Sequence, residues 1–177
     1  MKTRDITTIA VMAALICVAG PISIPVGPIP VSLASFAVYM AGAVLGSKKG
    51  TAAVALYLLI GIAGVPVFSG FTGGFQKLAG VTGGYLAGYI PCAWITGMAH
   101  ADSLDIKAER PRLAAAACAG TVVLYLIGTA WFMIQTGRNI TESLSMCVLP
   151  FLPGDALKIA ATVVLASPVV RAVRRAA

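Results

Sequence analysis

The residues best suited to chemistry stand near the end of the chain, in the stretch Pro150-Phe151-Leu152-Pro153-Gly154-Asp155-Ala156-Leu157-Lys158. Asp155 and Lys158 are opposite charges inside a long apolar run, and their i, i+3 spacing puts both on one helix face. An ionisable group at membrane depth costs about 2.5–3.5 kcal/mol on insertion scales, so each needs a partner or a polar cavity. Two arrangements meet that need. Either the pair closes on itself and ties its helix to the rest of the fold, or it lines a pocket. In the pocket, Lys158 receives an anionic group and Asp155 accepts N–H donors. The helix N-terminus beside them favours an anion further.

A second stretch, Gly70 to Tyr85 (GFTGGFQKLAGVTGGY), carries six glycines. Glycine lets the backbone come close to a ligand and offer its N–H groups, and here Thr72, Gly73 and Gly74 are the positions best able to do so. Phe68, Phe71, Phe75 and Tyr85 supply flat apolar walls, and Val31 is assigned to the same pocket from the first connection. Such a loop is equally suited to being a flexible connection that dips into the membrane.

Other chemistries lack their residues. There is no G-x-x-x-x-G-K-[ST]; Gly46-Ser47-Lys48-Lys49 has the wrong order and spacing, so the chain has no P-loop of its own for ATP. The single histidine, His100, falls at a helix end and reads as a surface residue, which leaves no Ser-His or Zn-His site in the spans. Cys17, Cys92, Cys118 and Cys147 stand far apart without CxxC spacing and read as small core residues, not as metal ligands. No catalytic group emerges, and a carrier is expected rather than an enzyme.

The elements that hold these residues are written in the composition. Of the 177 residues 59% are hydrophobic and 11% charged, and the mean hydropathy is +0.93. A soluble domain carries roughly 25% charged residues, so lipid is the outer solvent here. Six apolar segments follow one another: Ile6–Gly20, Val31–Leu45, Thr51–Val67, Val81–Met98, Leu113–Gln135 and Phe151–Val170. The expectation is an all-α membrane protein, one domain over residues 1–177, with six transmembrane helices. Several segments fall short of the roughly 20 residues that span a bilayer, so irregular and partly re-entrant external loops complete the crossing. The stretch from Pro21 to Pro30 is of this kind: it has four prolines and no charge, and it cannot be helical.

Charge gives the orientation. Lys2, Arg4, Lys48, Lys49, Lys107, Arg110, Arg112, Arg171, Arg174 and Arg175 lie at the termini or after even-numbered segments. Only Lys77 and Arg138 lie in the opposite connections. By the positive-inside rule both termini are cytoplasmic. The net charge of +7 is thus spread over short cytoplasmic segments and does not form a nucleic-acid-binding face. Gly42-x-x-x-Gly46 and Gly84-x-x-x-Gly88 read as close helix packing inside the bundle, and Ala10-x-x-x-Ala14 puts two more small residues on one face.

At these residues the chain resembles the BioY family, the substrate-binding (S) subunits of energy-coupling-factor biotin transporters. The matching stretches are PVGPIPVSL at 25–33, AGAVLGSKKG at 41–50, GIAGVPVFS at 61–69, GVTGGYLAG at 80–88 and FLPGDALK at 151–158. The resemblance implies six helices in a prokaryotic cell membrane and an outward-facing biotin site. Its implied partners are a transmembrane coupling subunit and two ATP-binding-cassette ATPases, with biotin as transported ligand and no cofactor. It also gives Ala10 and Ala14 a docking role against the coupling subunit. Three positions depart from the family pattern: Ala34 stands where many relatives have glutamine, Thr72 where asparagine is common, and Val81 where proline is usual. The first two remove amides able to meet a ureido ring. Uptake of another vitamin or small anion through the same architecture is the alternative, with an intramembrane transferase behind it.

Overall fold

The computed structural model describes residues 3–25, 28–100 and 106–175. Lys2, the Val26-Gly27 step and the side chains of Lys107, Arg174 and Arg175 lie outside the described residues.

Helix α1 spans Thr3–Ala19. Ile9, Met12, Ala13 and Ile16 recur at helical spacing and are buried, while Val11, Leu15 and Val18 on the other side are exposed. A helix apolar on its inner and outer faces alike is built for lipid. Ala10 and Ala14 lie on the exposed side, so they do not serve packing within this chain. The proline-rich connection that follows is not helical. It pairs as a small antiparallel hairpin of β1 (Ser23–Ile24) and β2 (Val31–Ser32), with Ser23 opposite Ser32. Pairing satisfies backbone groups that proline keeps out of a helix.

Helix α2, Ala34–Ile62, is broken at Gly46, whose φ of 77° and ψ of 174° are not helical. A side chain on Gly50 would collide with the backbone of Ala41 and Gly42. Nine residues along a straight helix is about 13 Å, so this contact requires the chain to reverse at Gly46. The arms 34–45 and 47–62 therefore lie against each other as a hairpin. They correspond to the second and third apolar segments, with Val31-Ser32 taken into β2 instead of the helix. The break removes helical donors from nearby carbonyls, and the Nδ1–H of His100 donates to the Ala43 oxygen at 2.7 Å. His100 is half-buried against Gly46 rather than a free surface residue.

Short α3 (Phe75–Ala79) leads into α4 (Gly83–Gly97), followed by α5 (Ile106–Thr136), α6 (Ile140–Cys147) and α7 (Leu152–Arg175). Helix α4 packs between α2 and α5, and α7 leans on the same two. The close approach depends on absent side chains: a Cβ on Gly42 would strike the Ala93 carbonyl, and one on Gly84 the Trp131 side chain. Gly42 and the Gly84/Gly88 pair thus serve internal packing, whereas Gly46 is the break in α2 and does not share a helix face with Gly42. Cys92 and Cys147 are buried, whereas Cys118 is exposed on α5, not in the core.

Among the described residues three helices are long and apolar enough to cross a membrane: Ala34–Ile62, Arg110–Thr136 and Leu152–Val173. The first of them is the hairpin just described. Helices α1 and α4, with 17 and 15 residues, are shorter than the roughly 20 that span a bilayer squarely.

The connections after α1, α2 and α5 meet in one layer over the start of α7. Gly70 N–H donates to the Pro21 oxygen at 3.2 Å, joining the first to the second. Trp131 and Gln135 of α5 donate to the carbonyls of Gly80 and Ala79 at 2.9 and 3.0 Å. Tyr85 donates to the Cys147 carbonyl at 3.2 Å, which brings in α6.

Candidate ligand-binding site

Beneath that layer lies a narrow cavity of about 40 Å³. Its charged end is built by the first turns of α7. Pro153 is tolerated there because the first helical N–H groups have no intrahelical partner in any case. The turn then points Asp155 and Lys158 inward, where they are 5% and 9% exposed. Lys158 Nζ lies 2.9 Å from Asp155 Oδ1 and 2.9 Å from Ser35 Oγ. The Ser35 hydroxyl also donates to Asp155 Oδ1 at 3.3 Å. On the other side Tyr125 donates to Asp155 Oδ2 at 2.6 Å. The pair is therefore closed, charge-neutral and held by side chains of α2, α5 and α7.

The walls are aromatic and aliphatic, supplied by Phe68, Tyr85, Tyr89, Leu86, Leu124 and Phe151. Phe68 is fixed from behind: the tip of its ring fills the space where Gly61 has no side chain, and it meets Tyr57 edge-on at 5.6 Å. Any side chain at Gly61 would collide with this ring and displace Phe68 from its place in the cavity wall. At the outer end stand Ser69, Lys77 and Thr82, all only half-buried.

Of the residues singled out in the sequence, Asp155, Lys158, Phe68 and Tyr85 line this cavity together. Thr72, Gly73, Gly74, Phe71 and Val31 are not among its walls. Thr72 is engaged in a bridge with Phe68, and its hydroxyl donates to the Ser69 carbonyl at 2.9 Å. The Gly74 N–H donates to the Gly61 carbonyl at 2.7 Å, which occupies an amide the sequence offered to a ligand. Gly73 sits tight against the Val65 carbonyl. Phe71 turns outward, 73% exposed, with a φ of 56°. Val31 is half-buried in β2, near Gly154.

Sequence reasoning missed Ser35 and Tyr125, the two hydroxyls that complete the cluster. Tyr125 had a signal: it is the one tyrosine in the long apolar run 113–135, and a buried phenol finds a partner. Ser35 had none beyond its place in an otherwise apolar helix start, because its partners lie 120 and 123 residues away.

A bundle of helices apolar on their outer faces, enclosing one capped cavity with a buried ion pair, defines a membrane protein that binds a small molecule. The comparisons narrow the class. The BioY family matches residues 1–175, and the chain belongs to that family. A Pyrococcus horikoshii protein described as a "probable biotin transporter BioY" is 34% identical over 166 residues, covering 94% of this chain and 96% of its own. The biotin transporter BioY of Thermotoga maritima is 36% identical over 163 residues, covering 92% and 94%. A crystal structure of the S-component for biotin from an ECF-type ABC transporter superposes with a TM-score of 0.81 at 27% identity, covering 96% of this chain and 92% of that one.

Proposed function

We propose that the chain binds biotin outside the cell and serves its uptake across the cytoplasmic membrane as the S-component of an energy-coupling-factor transporter. The observation that carries this reading is the buried Lys158–Asp155–Ser35–Tyr125 cluster closing one end of an aromatic-walled cavity, in a chain of the BioY family. Biotin offers two ureido N–H donors and a carbonyl at one end, apolar fused rings, and a carboxylate on a flexible tail. Asp155 has lone pairs left to accept N–H groups, and Lys158 keeps one N–H for the ureido carbonyl. Phe68, Tyr85 and Phe151 suit the rings. A few placed polar groups in an apolar pocket is the usual composition of small-ligand sites.

A cavity of about 40 Å³ holds little more than water, so its capping residues, Ile29 and Pro30 of the first connection and Ser69, Lys77 and Thr82 of the second, must yield as biotin enters. Nothing in this needs a covalent step or a cofactor. The chain is a carrier subunit and not an enzyme. It has no P-loop, and as an S-component it would draw its driving energy from ATPase partners through a coupling subunit. The exposed Ala10 and Ala14 suit docking by close helix approach.

Six crossings accompany the reading: α1, the two arms of α2, α4, α5 and α7. Lys49 pairs with Asp5 at 2.6 Å, Arg4 donates to the Val173 carbonyl at 3.2 Å and Arg112 to the Met98 carbonyl at 3.4 Å. This gathering of basic residues lies at the end away from the cavity and supports a cytoplasmic placement of that end. The test is retention of radiolabelled biotin by the detergent-solubilised chain. Stoichiometric binding, displaced by unlabelled biotin but not by lipoate or thiamine, is expected. No retention, or equal displacement by lipoate, would sink the assignment.

A further inference from the structure

The cavity has a second cation, and its situation differs from that of Lys158. Lys77, on α3 in the capping layer, lines the outer end of the cavity and is half-buried. Among the described residues no carboxylate pairs with it: the ion pairs are Lys49–Asp5, Arg138–Glu142 and Lys158–Asp155. Lys158 is already neutralised at 2.9 Å and further held by Ser35.

Charge then decides where an anionic ligand group goes. A carboxylate brought to Lys158 would stand beside Asp155, putting two anions around one cation in a buried space. Like-charge repulsion and desolvation both oppose that arrangement. A carboxylate at Lys77 meets an unpaired cation in a wetter setting, and the Thr82 and Ser69 hydroxyls border the same rim. Filling the site that way leaves both ends neutral. The pattern along the cavity is polar cluster, apolar walls, cationic rim, which matches ureido, fused rings and carboxylate in order.

We propose that Lys77 receives the ligand's carboxylate at the cavity mouth, while the Asp155–Lys158 cluster reads the uncharged polar end. The sequence alone pointed to Lys158 for the anion, because nothing in it reveals that Lys77 lines the same cavity as Asp155 and Lys158. This assignment rests on the biotin reading above and names the residue that selects a negatively charged tail.

The experiment measures biotin and biotin amide binding to the full solubilised chain and to Lys77→Gln, Lys77→Arg and Lys158→Gln variants. Losing one half-buried, charge-assisted contact lowers affinity by about tenfold. Lys77→Gln is therefore expected to lose about that factor for biotin and nearly nothing for the amide. Lys77→Arg should keep biotin within a few-fold, and Lys158→Gln should weaken both ligands alike. Equal losses for both ligands in Lys77→Gln, or none for either, overturn the assignment. So does a Lys158→Gln variant whose loss is confined to biotin. A parent chain that binds neither ligand overturns the biotin reading instead, and this proposal with it.

Discussion

The Tyr125 hydroxyl donates to Asp155 Oδ2 at 2.6 Å, so the carboxylate is gripped from the side opposite Lys158. Tyr125 lies on α5, Asp155 on α7 and Ser35 on α2, and one buried anion thereby joins three helices. Charge, hydrogen bonding and helix packing are coupled at this point. A change to any member of the cluster is expected to alter folding as well as ligand binding, and the two effects have to be separated.

Lys158→Met makes the separation possible. It leaves Asp155 buried without its cation, which costs on the order of 3–5 kcal/mol. A clear fall in the thermal midpoint in detergent, with biotin binding lost, is expected. The double variant Asp155→Asn with Lys158→Met removes both charges and should recover most of the stability. Biotin binding should not return with it. Parent-like binding by the double variant would make the ion pair a structural tie only.

Tyr125→Phe removes a single donor to a charged acceptor, worth about 1.5–3 kcal/mol. The expected result is a smaller loss of stability than in Lys158→Met and a measurable loss of biotin affinity. Unchanged unfolding would mean that the short contact to Asp155 carries no energy.

Replacing Ala10 and Ala14 by leucine should abolish assembly with a coupling subunit while leaving biotin binding intact. Both residues lie on the exposed face of α1, so the isobutyl groups disturb nothing inside the chain and only hold a partner helix away. Co-purification and binding assays on the same variant check the two halves. Loss of binding itself would show that this face shapes the cavity.

Orientation is open to single-cysteine labelling in a cysteine-free background. Ser145 and Lys48 are both exposed, at opposite ends of the bundle. Ser145→Cys should react with an impermeant reagent added outside, and Lys48→Cys only after the membrane is opened. Labelling of both from outside would refute the charge-based orientation.

What the sequence determined by itself was what composition and local spacing can carry. An 11% charged chain has too little polar surface for water, so lipid-facing helices follow from counting alone. The i, i+3 spacing of Asp155 and Lys158 guaranteed that they share a face. Gly42, Gly84 and Gly88 announced close packing before any neighbour was known, and the prolines between 21 and 30 argued against a helix there. Tertiary structure decided what depends on contacts distant in the chain. It brought Ser35 and Tyr125 to Asp155, gave the amide of Gly74 to Gly61 and turned Phe71 outward. It also folded the Gly46 hairpin so that His100 reaches the Ala43 carbonyl, and set Lys77 at the cavity rim. In an apolar chain nearly every helix face looks alike to a local reading. Which face turns inward is fixed only when the helices meet and the few polar groups find one another.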